Sequence, residues 1–438
     1  MNAVIDPVCG IVRRVIPNWM EQGDPRIYAF GAVSSQASPL TVPPQIVHAG
    51  GAGLSKDQAF AATIGEAVER YCAAYNDPDE IIFASYDELR DPAVPPSHFC
   101  LYSRKQYQSP GFPYHPFTPK TRLSWTWAFS LQQNRSILVP ASLVHLPLYL
   151  EDAQSETEIG PITSTGLACG PTLEEAILSA IAEVVERDAL ACFWMAMPEP
   201  KRTTVDPDSE IFEAFNKKFD LEGLQYYICD ITSDLGVPTF LTILKGGSNQ
   251  GAMINAGSAA NLSPSRGCLK SLIEAAHGRP YVRFILQSQQ NWRYSSDFST
   301  VNTFQDHAAF YTRAPQHISA LDLITNADPE KRLSDLPTLS NGSPIADICK
   351  YRELLAHHGF DILVKDLTTP DIEEIGLKVV RVLIPGLQLL HGDHRYPFLG
   401  CPRLYQTRQQ APRRDGIYKT VQSLLSEEDL NPFPHPLP

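Results

Sequence analysis

Residues 55–75 read SKDQAFAATIGEAVERYCAAY, and residues 172–193 read TLEEAILSAIAEVVERDALACF. Shifted by 117 positions, Ser55 falls on Thr172, Gln58 on Glu175, Ala59 on Ala176, Ile64 on Ile181, Glu66 on Glu183, Val68 on Val185, Glu69 on Glu186 and Arg70 on Arg187. Such a match at a fixed offset is an internal repeat. A weaker third copy begins at Asn261 (NLSPSRGCLKSLIEAAHGR), where Ser263 takes the first position, Glu274 matches Glu66 and His277 replaces the second glutamate.

Each copy opens with a helix start signal, because Ser55 with Gln58, and Thr172 with Glu175, fit a capping box. At about 100° per residue, Ala61, Ile64, Val68, Tyr71 and Tyr75 form one apolar stripe, with Gln58, Ala62, Glu66 and Glu69 on roughly the opposite side. The second copy sets Leu178, Ile181 and Val185 against Glu175, Ser179, Glu183 and Glu186 in the same way. Between the helices, SILVPASLVHLPLYL, YYICDITSDLGVPTFLTIL, FDILVKDLT and LKVVRVLIPGLQLL are short, β-branched and bounded by Pro, Gly or Asp, so they read as strands. The class is α+β.

The 438 residues are 43% hydrophobic and 19% charged, which suffices for a sizeable core. No Gly/Ser linker divides the chain, so one large domain over 48–438 is expected after a Pro-rich lead-in over 1–47, with a strand at RIYAFGAV. A net charge of −13 argues against an electrostatic nucleic-acid binder. The N-terminus lacks the apolar core of a signal peptide, and no run of eighteen apolar residues occurs, so a cytoplasmic protein without a membrane span is expected. The nine cysteines are scattered and never spaced C-x-x-C, which gives no sign of a cysteine zinc site.

Taken once, E-x-x-E-R is an exposed helix face whose i,i+4 pairs (Glu66 with Arg70, Glu183 with Arg187) contribute a few tenths of a kcal/mol each, roughly. Taken twice in register, it places four carboxylates where neighbouring helices bring them together. Crowded carboxylates repel unless cations sit between them, and hard oxygen ligands suit Mg²⁺ with a nucleotide as bridge. No P-loop or dinucleotide fingerprint is present. The glycines of GGAG (50–53) and STGLACG (164–170) are positioned to offer backbone N–H groups to an anion at a helix N-terminus.

These three helices, with ILVPASLV, KDLTTPDI and VVRVLIPGLQLL between and after them, resemble the conserved blocks of the YcaO family over roughly residues 48–438. The resemblance implies a YcaO-type ATP-binding fold built on the repeated units, with ATP and Mg²⁺ as ligands. Carried over by position, Glu66, Glu69, Glu183 and Glu186 are the Mg²⁺ ligands, Arg187 meets the phosphates and Glu175 the nucleotide. Arg70 and Glu274 are pocket residues, and Arg279 is a further phosphate contact. Glu175 also has a purely structural reason to be Glu, as the third residue of a capped helix.

The chain ends PFPHPLP (432–438). Proline runs favour an extended polyproline II path, and the commoner fate of such an end is a solvated tail. Azoline-forming members of the family end in P-x-P-x-P, which Pro434, Pro436 and Pro438 match, and this implies a catalytic tail that brings the Pro438 carboxylate to the active centre. The implied reaction is ATP-dependent cyclodehydration of Cys, Ser or Thr in a ribosomally made precursor peptide to thiazoline or (methyl)oxazoline, by phosphorylation of the backbone amide oxygen. The implied partners are that peptide, a separate E1-like leader-binding protein, a dehydrogenase that aromatises the rings, and a second copy in a homodimer. Two other readings stay open: thioamide or amidine formation on a peptide, and a catalytically weak scaffold subunit. The chain departs from the family pattern at Ala52, Ala62, Thr165, Pro171 and His277, where Lys, Ser, Asn, Asn and Gln are common.

Overall fold

The computed structural model describes residues 2–35, 48–148, 156–248, 251–406, 410–412, 418–420 and 425–438. All three repeat copies are helices: α1 (Lys56–Ala74), α2 (Leu173–Ala196) and α3 (Pro264–Ser288), capped by Ser55, Thr172 and Ser263. Ser55 and Gln58 form the expected reciprocal box. At Thr172 the hydroxyl accepts from the Glu175 N–H and donates to the Glu175 carboxylate, so Glu175 serves the cap through a different bond.

Three antiparallel-rich sheets feed these helices. The first runs Val12–Pro17, Tyr28–Ser34, His48–Gly53. The second runs Ile82–Ser85, Arg122–Ser130, Leu363–Asp366, Lys378–Leu383, Leu167–Gly170, with Arg135–Pro140 also paired to Arg122–Ser130. The third runs Gly251–Ala260, Thr239–Ser248, Leu224–Asp230, Lys201–Thr204, Pro329–Arg332, the last pair parallel. Each repeat helix follows a strand at the end of a different sheet. Each then packs both on its own strand and on the strand of the next unit: α1 on Leu167–Gly170, α2 on Gly251–Ala260, α3 on His48–Gly53. The three strand–helix units thus close a ring.

This ring explains where the apolar stripes go. Ile64 and Val68 are buried as expected, but Ala59, Ala67 and Cys72 are buried too and Tyr75 is exposed, because α1 lies between two strands rather than on one surface. The second half of α2, ALACFWMA, is buried on every side and carries the core that also holds Tyr311, Leu321 and Leu437. The expected lead-in is more ordered than its prolines suggest: Tyr28–Ser34 bridges Val12–Pro17 to the strand of the first unit. Asp24, in the turn between those strands, is buried against Arg279 and Arg283 of α3. Two further helices, α4 (Phe304–Arg313) and α5 (Pro344–His357), cover the outside of the third sheet and of α2.

Candidate nucleotide and metal site

Where the three units meet, α1, α2 and α3 line a cleft of about 560 Å³. Its walls carry Glu66, Glu69 and Arg70 from α1, Glu183, Glu186 and Arg187 from α2, and Lys270 and Glu274 from α3. The carboxylates lie in two tiers. In the first, each is held by its own strand: the Gly50 N–H donates to Glu66 (2.8 Å), the Gly166 N–H to Glu183 (3.3 Å), and the Ser258 N–H to Glu274. In the second, each reaches the next unit: Glu69 accepts from the Cys169 N–H (2.8 Å), and Glu186 from the Ser258 hydroxyl (2.5 Å). The third unit has His277 at that position, beside Gly50 of the first. Burial drives its pKa down to about 4, so it is neutral, and the cleft has five carboxylates where the repeat alone would give six.

Five carboxylates in one cleft are costly when empty. Burial, then the charges of Glu66 and Glu183, push Glu69 up to about 8 against the pull of the Cys169 N–H. Burial and the charge of Glu274 push Glu186 up to about 7. Three cations answer them. Arg70 pairs with Glu66 (3.3 Å), Arg187 with Glu183 (3.8 Å) and Lys270 with Glu274 (3.7 Å), each one helical turn apart. Burial opposes the charge on Arg187, but Glu186, Glu183 and Glu274 outweigh it and raise its pKa. Its buried Nε has no hydrogen-bond partner among the described residues. An unmet guanidinium nitrogen beside a surplus of carboxylates is the donor set that a Mg²⁺-bound polyphosphate fits, with oxygen ligands for the metal and cations for the phosphates.

The structure brings together seven of the residues expected here: Glu66, Glu69, Glu183, Glu186, Arg70, Arg187 and Glu274. Glu175 is not in the cleft lining; it lies a turn before Ser179 with its carboxylate on Thr172. Arg279 is not in the cleft lining either: it is 1% exposed and donates to Asp24 (2.5 Å) and to the Gly247 carbonyl (2.9 Å). Lys270 was missed, although in the repeat it falls at the position of Ala62 and Ser179, which also line the cleft. The glycines serve packing. A Cβ on Gly51 would sit 2.3 Å from the Thr63 nitrogen, and one on Gly170 2.7 Å from the Ala176 nitrogen, so they let strand and helix touch. The N–H groups of Gly50, Gly166 and Cys169 are spent on carboxylates, not offered to an anion. Of the departures, Ala62 and Pro171 line the cleft, Thr165 lines a neighbouring pocket, and Ala52 packs under α3.

The tail is not solvated. Trp194 Nε1 donates to the Phe433 carbonyl (2.8 Å), and the Tyr311 hydroxyl to the Pro434 carbonyl (2.7 Å). Leu437 is 2% exposed, in the same apolar core as the second half of α2. The tail therefore packs on the C-terminal end of α2, where the Met195 and Trp194 carbonyls accept from Asn431, and Pro434 through Leu437 are buried while Pro438 is exposed and is not in the cleft lining.

Known proteins share this architecture. A heterocyclase solved with substrate and cofactor superposes with a TM-score of 0.75 at 24% identity, over 99% of this chain and 56% of that one. YcaO from Methanopyrus kandleri, solved with AMPPCP and Mg²⁺, gives 0.58 at 16% identity over 86% of both chains. An uncharacterized protein of Methanothermobacter thermautotrophicus is 27% identical over 353 residues, 78% of this chain and 82% of that protein. The chain thus spans little more than half the length of the heterocyclase it matches. Residues 50–388 match the profile of the YcaO cyclodehydratases, described as ATP- and Mg²⁺-binding, and on that match the chain belongs to the YcaO family.

Proposed function

We propose that the protein is an ATP-dependent peptide cyclodehydratase, converting Cys, Ser or Thr of a ribosomally made precursor into thiazoline or (methyl)oxazoline. The observation that carries this reading is the convergence of five carboxylates and three cations from three repeat units, beside a proline tail that is held against the same helix α2. Glu66, Glu69, Glu183 and Glu186 hold Mg²⁺, while Arg187 and Lys270 meet phosphate oxygens. Bound Mg–ATP supplies the phosphoryl group that lets the amide oxygen leave as phosphate, and its metal offsets the developing charge. The chain's own residues orient the peptide amide, exclude water and, through the Pro438 carboxylate, take the proton from the attacking side chain. Leader recognition is assigned in this reading to a separate E1-like protein that works with the chain.

The test is calorimetric titration of Mg–ATP into the wild type, into Glu183→Gln and into a variant lacking Leu437 and Pro438, beside mass spectrometry of a precursor peptide with the partner present. Binding is lost in Glu183→Gln and kept in the truncated chain, which loses ring formation, read as departure of one water per ring. Exchange of oxygen for sulfur, with activity surviving truncation, identifies thioamidation instead. No Mg–ATP binding by the wild type, with or without partner, leaves the scaffold reading.

A further inference from the structure

Four histidines gather where the tail enters the core, apart from the carboxylate cleft. His307 stands on α4, His391 and His394 on the loop after Lys378–Leu383, and His435 in the tail. His435 stacks flat on His307, with centroids 3.7 Å apart, and both of its nitrogens are engaged, by the His391 carbonyl (2.7 Å) and the Leu437 N–H (3.4 Å). The other three are arranged differently. Their ring centroids form a nearly equilateral triangle with sides of 5.7, 5.9 and 5.9 Å.

His307 Nδ1 bonds the His435 carbonyl (2.9 Å), and His394 Nε2 bonds the Pro432 carbonyl (3.0 Å). A carbonyl only accepts, so those nitrogens carry the protons, and the lone pairs are left on His307 Nε2 and His394 Nδ1. Both atoms, and His391 Nε2, are buried without a hydrogen-bond partner among the described residues. One ring nitrogen from each histidine lies within 4.8 Å of the other two. The centre of the triangle is roughly 3.4 Å from each ring centroid, and a Zn–N bond of about 2.0–2.1 Å places a metal roughly 3.2 Å from a bound imidazole's centroid. Imidazoles oriented through the far ring nitrogen by backbone carbonyls are the usual support of a histidine-ligated metal. Burial also holds all three below the ordinary histidine value, hence neutral and able to ligate.

We propose that His307, His391 and His394 bind one divalent transition-metal ion of the zinc class, with the fourth position open, and that this ion fastens the C-terminal tail through the carbonyls of Pro432 and His435. Imidazole ligands without carboxylates select such ions over Mg²⁺. None of the three ligands lines the carboxylate cleft, and two of them lie past residue 388, outside the segment that matches the family profile, so the site does not depend on the reaction proposed above.

The experiment titrates Zn²⁺, and separately Co²⁺, into the metal-stripped full chain with Mg²⁺ in excess to occupy the carboxylate cleft. One equivalent binds with micromolar or tighter affinity, and Co²⁺ gives the intense visible absorption of a four-coordinate ion. His391→Gln and His394→Gln each weaken binding at least 100-fold and leave Mg–ATP binding at the wild-type value, which shows that the fold survives. Zn²⁺ slows hydrogen exchange in the 431–438 peptide at least tenfold. No uptake by a wild type that still binds Mg–ATP overturns the site, and so does equal uptake by the double variant. Uptake with unchanged exchange in 431–438 overturns the fastening of the tail.

Discussion

Raising the pH from 7 to 8 will tighten Mg–ATP binding about tenfold. In the empty cleft Glu69 sits at about 8 and Glu186 at about 7, each displaced first by burial and then by neighbouring carboxylates. A cation binds when both are ionised. At pH 7 about a tenth of Glu69 and half of Glu186 are ionised, so roughly 5% of molecules are ready; at pH 8 the fractions are about half and nine-tenths, or roughly 45%. The ratio is about tenfold, or about 1.4 kcal/mol. The same balance gives about 1.4 protons released per nucleotide bound at pH 7. Titration calorimetry in two buffers of different ionisation enthalpy reads both quantities. Glu69→Gln removes the larger share of the proton release. An affinity flat between pH 7 and 8, with no protons released, would refute the reasoning, because the carboxylates would then be ionised without a cation.

Three further outcomes follow from the same geometry. The folded-state values of Glu69 and Glu186 lie above the unfolded glutamate value of about 4.3, so these two carboxyls hold protons in the native chain and their own contribution to stability falls as pH rises from about 4.5 to 8; the melting temperature of Glu69→Gln therefore gains on that of the wild type between pH 6 and pH 8. Asp24→Asn strands two buried guanidinium groups, Arg279 and Arg283, and costs about 3–5 kcal/mol in urea unfolding. Lys270→Ala removes a charge-assisted contact of about 1.5–3 kcal/mol and weakens Mg–ATP binding roughly 10- to 150-fold in the same calorimetric assay.

The three helices and their charged faces were legible because they are local and repeated: a cap, a stripe and E-x-x-E-R occur within one helix, and duplication separated them from ordinary surface. Lys270 was equally legible had the third copy been followed through its whole length. Arg279 was not. Its role is set by Asp24, 255 positions earlier, in a turn whose burial no local pattern announces. The lead-in was legible in part: its strand at RIYAFGAV stands at Tyr28–Ser34, but the pairing of that strand with His48–Gly53 is a matter of register rather than composition. Prolines made the tail look solvated because they lack donors; what holds it are donors elsewhere, the indole of Trp194 and the hydroxyl of Tyr311, which need the carbonyls of Phe433 and Pro434. The histidine triangle was invisible in the same way, with His307 more than eighty residues from its two companions.

The closed ring of strand–helix units bears on how this protein can be recombined with its relatives. Glu69 hangs from the second unit's backbone, Glu186 from the third unit's serine, and His277 rests against the first unit's glycine. No unit carries the complete support of its own ligands. A chimera that exchanges one unit alone therefore places two foreign seams inside the cleft, whereas exchange of residues from His48 through Ser288 as a block keeps all three seams native and leaves Leu377 as the cleft-lining residue contributed from outside the block.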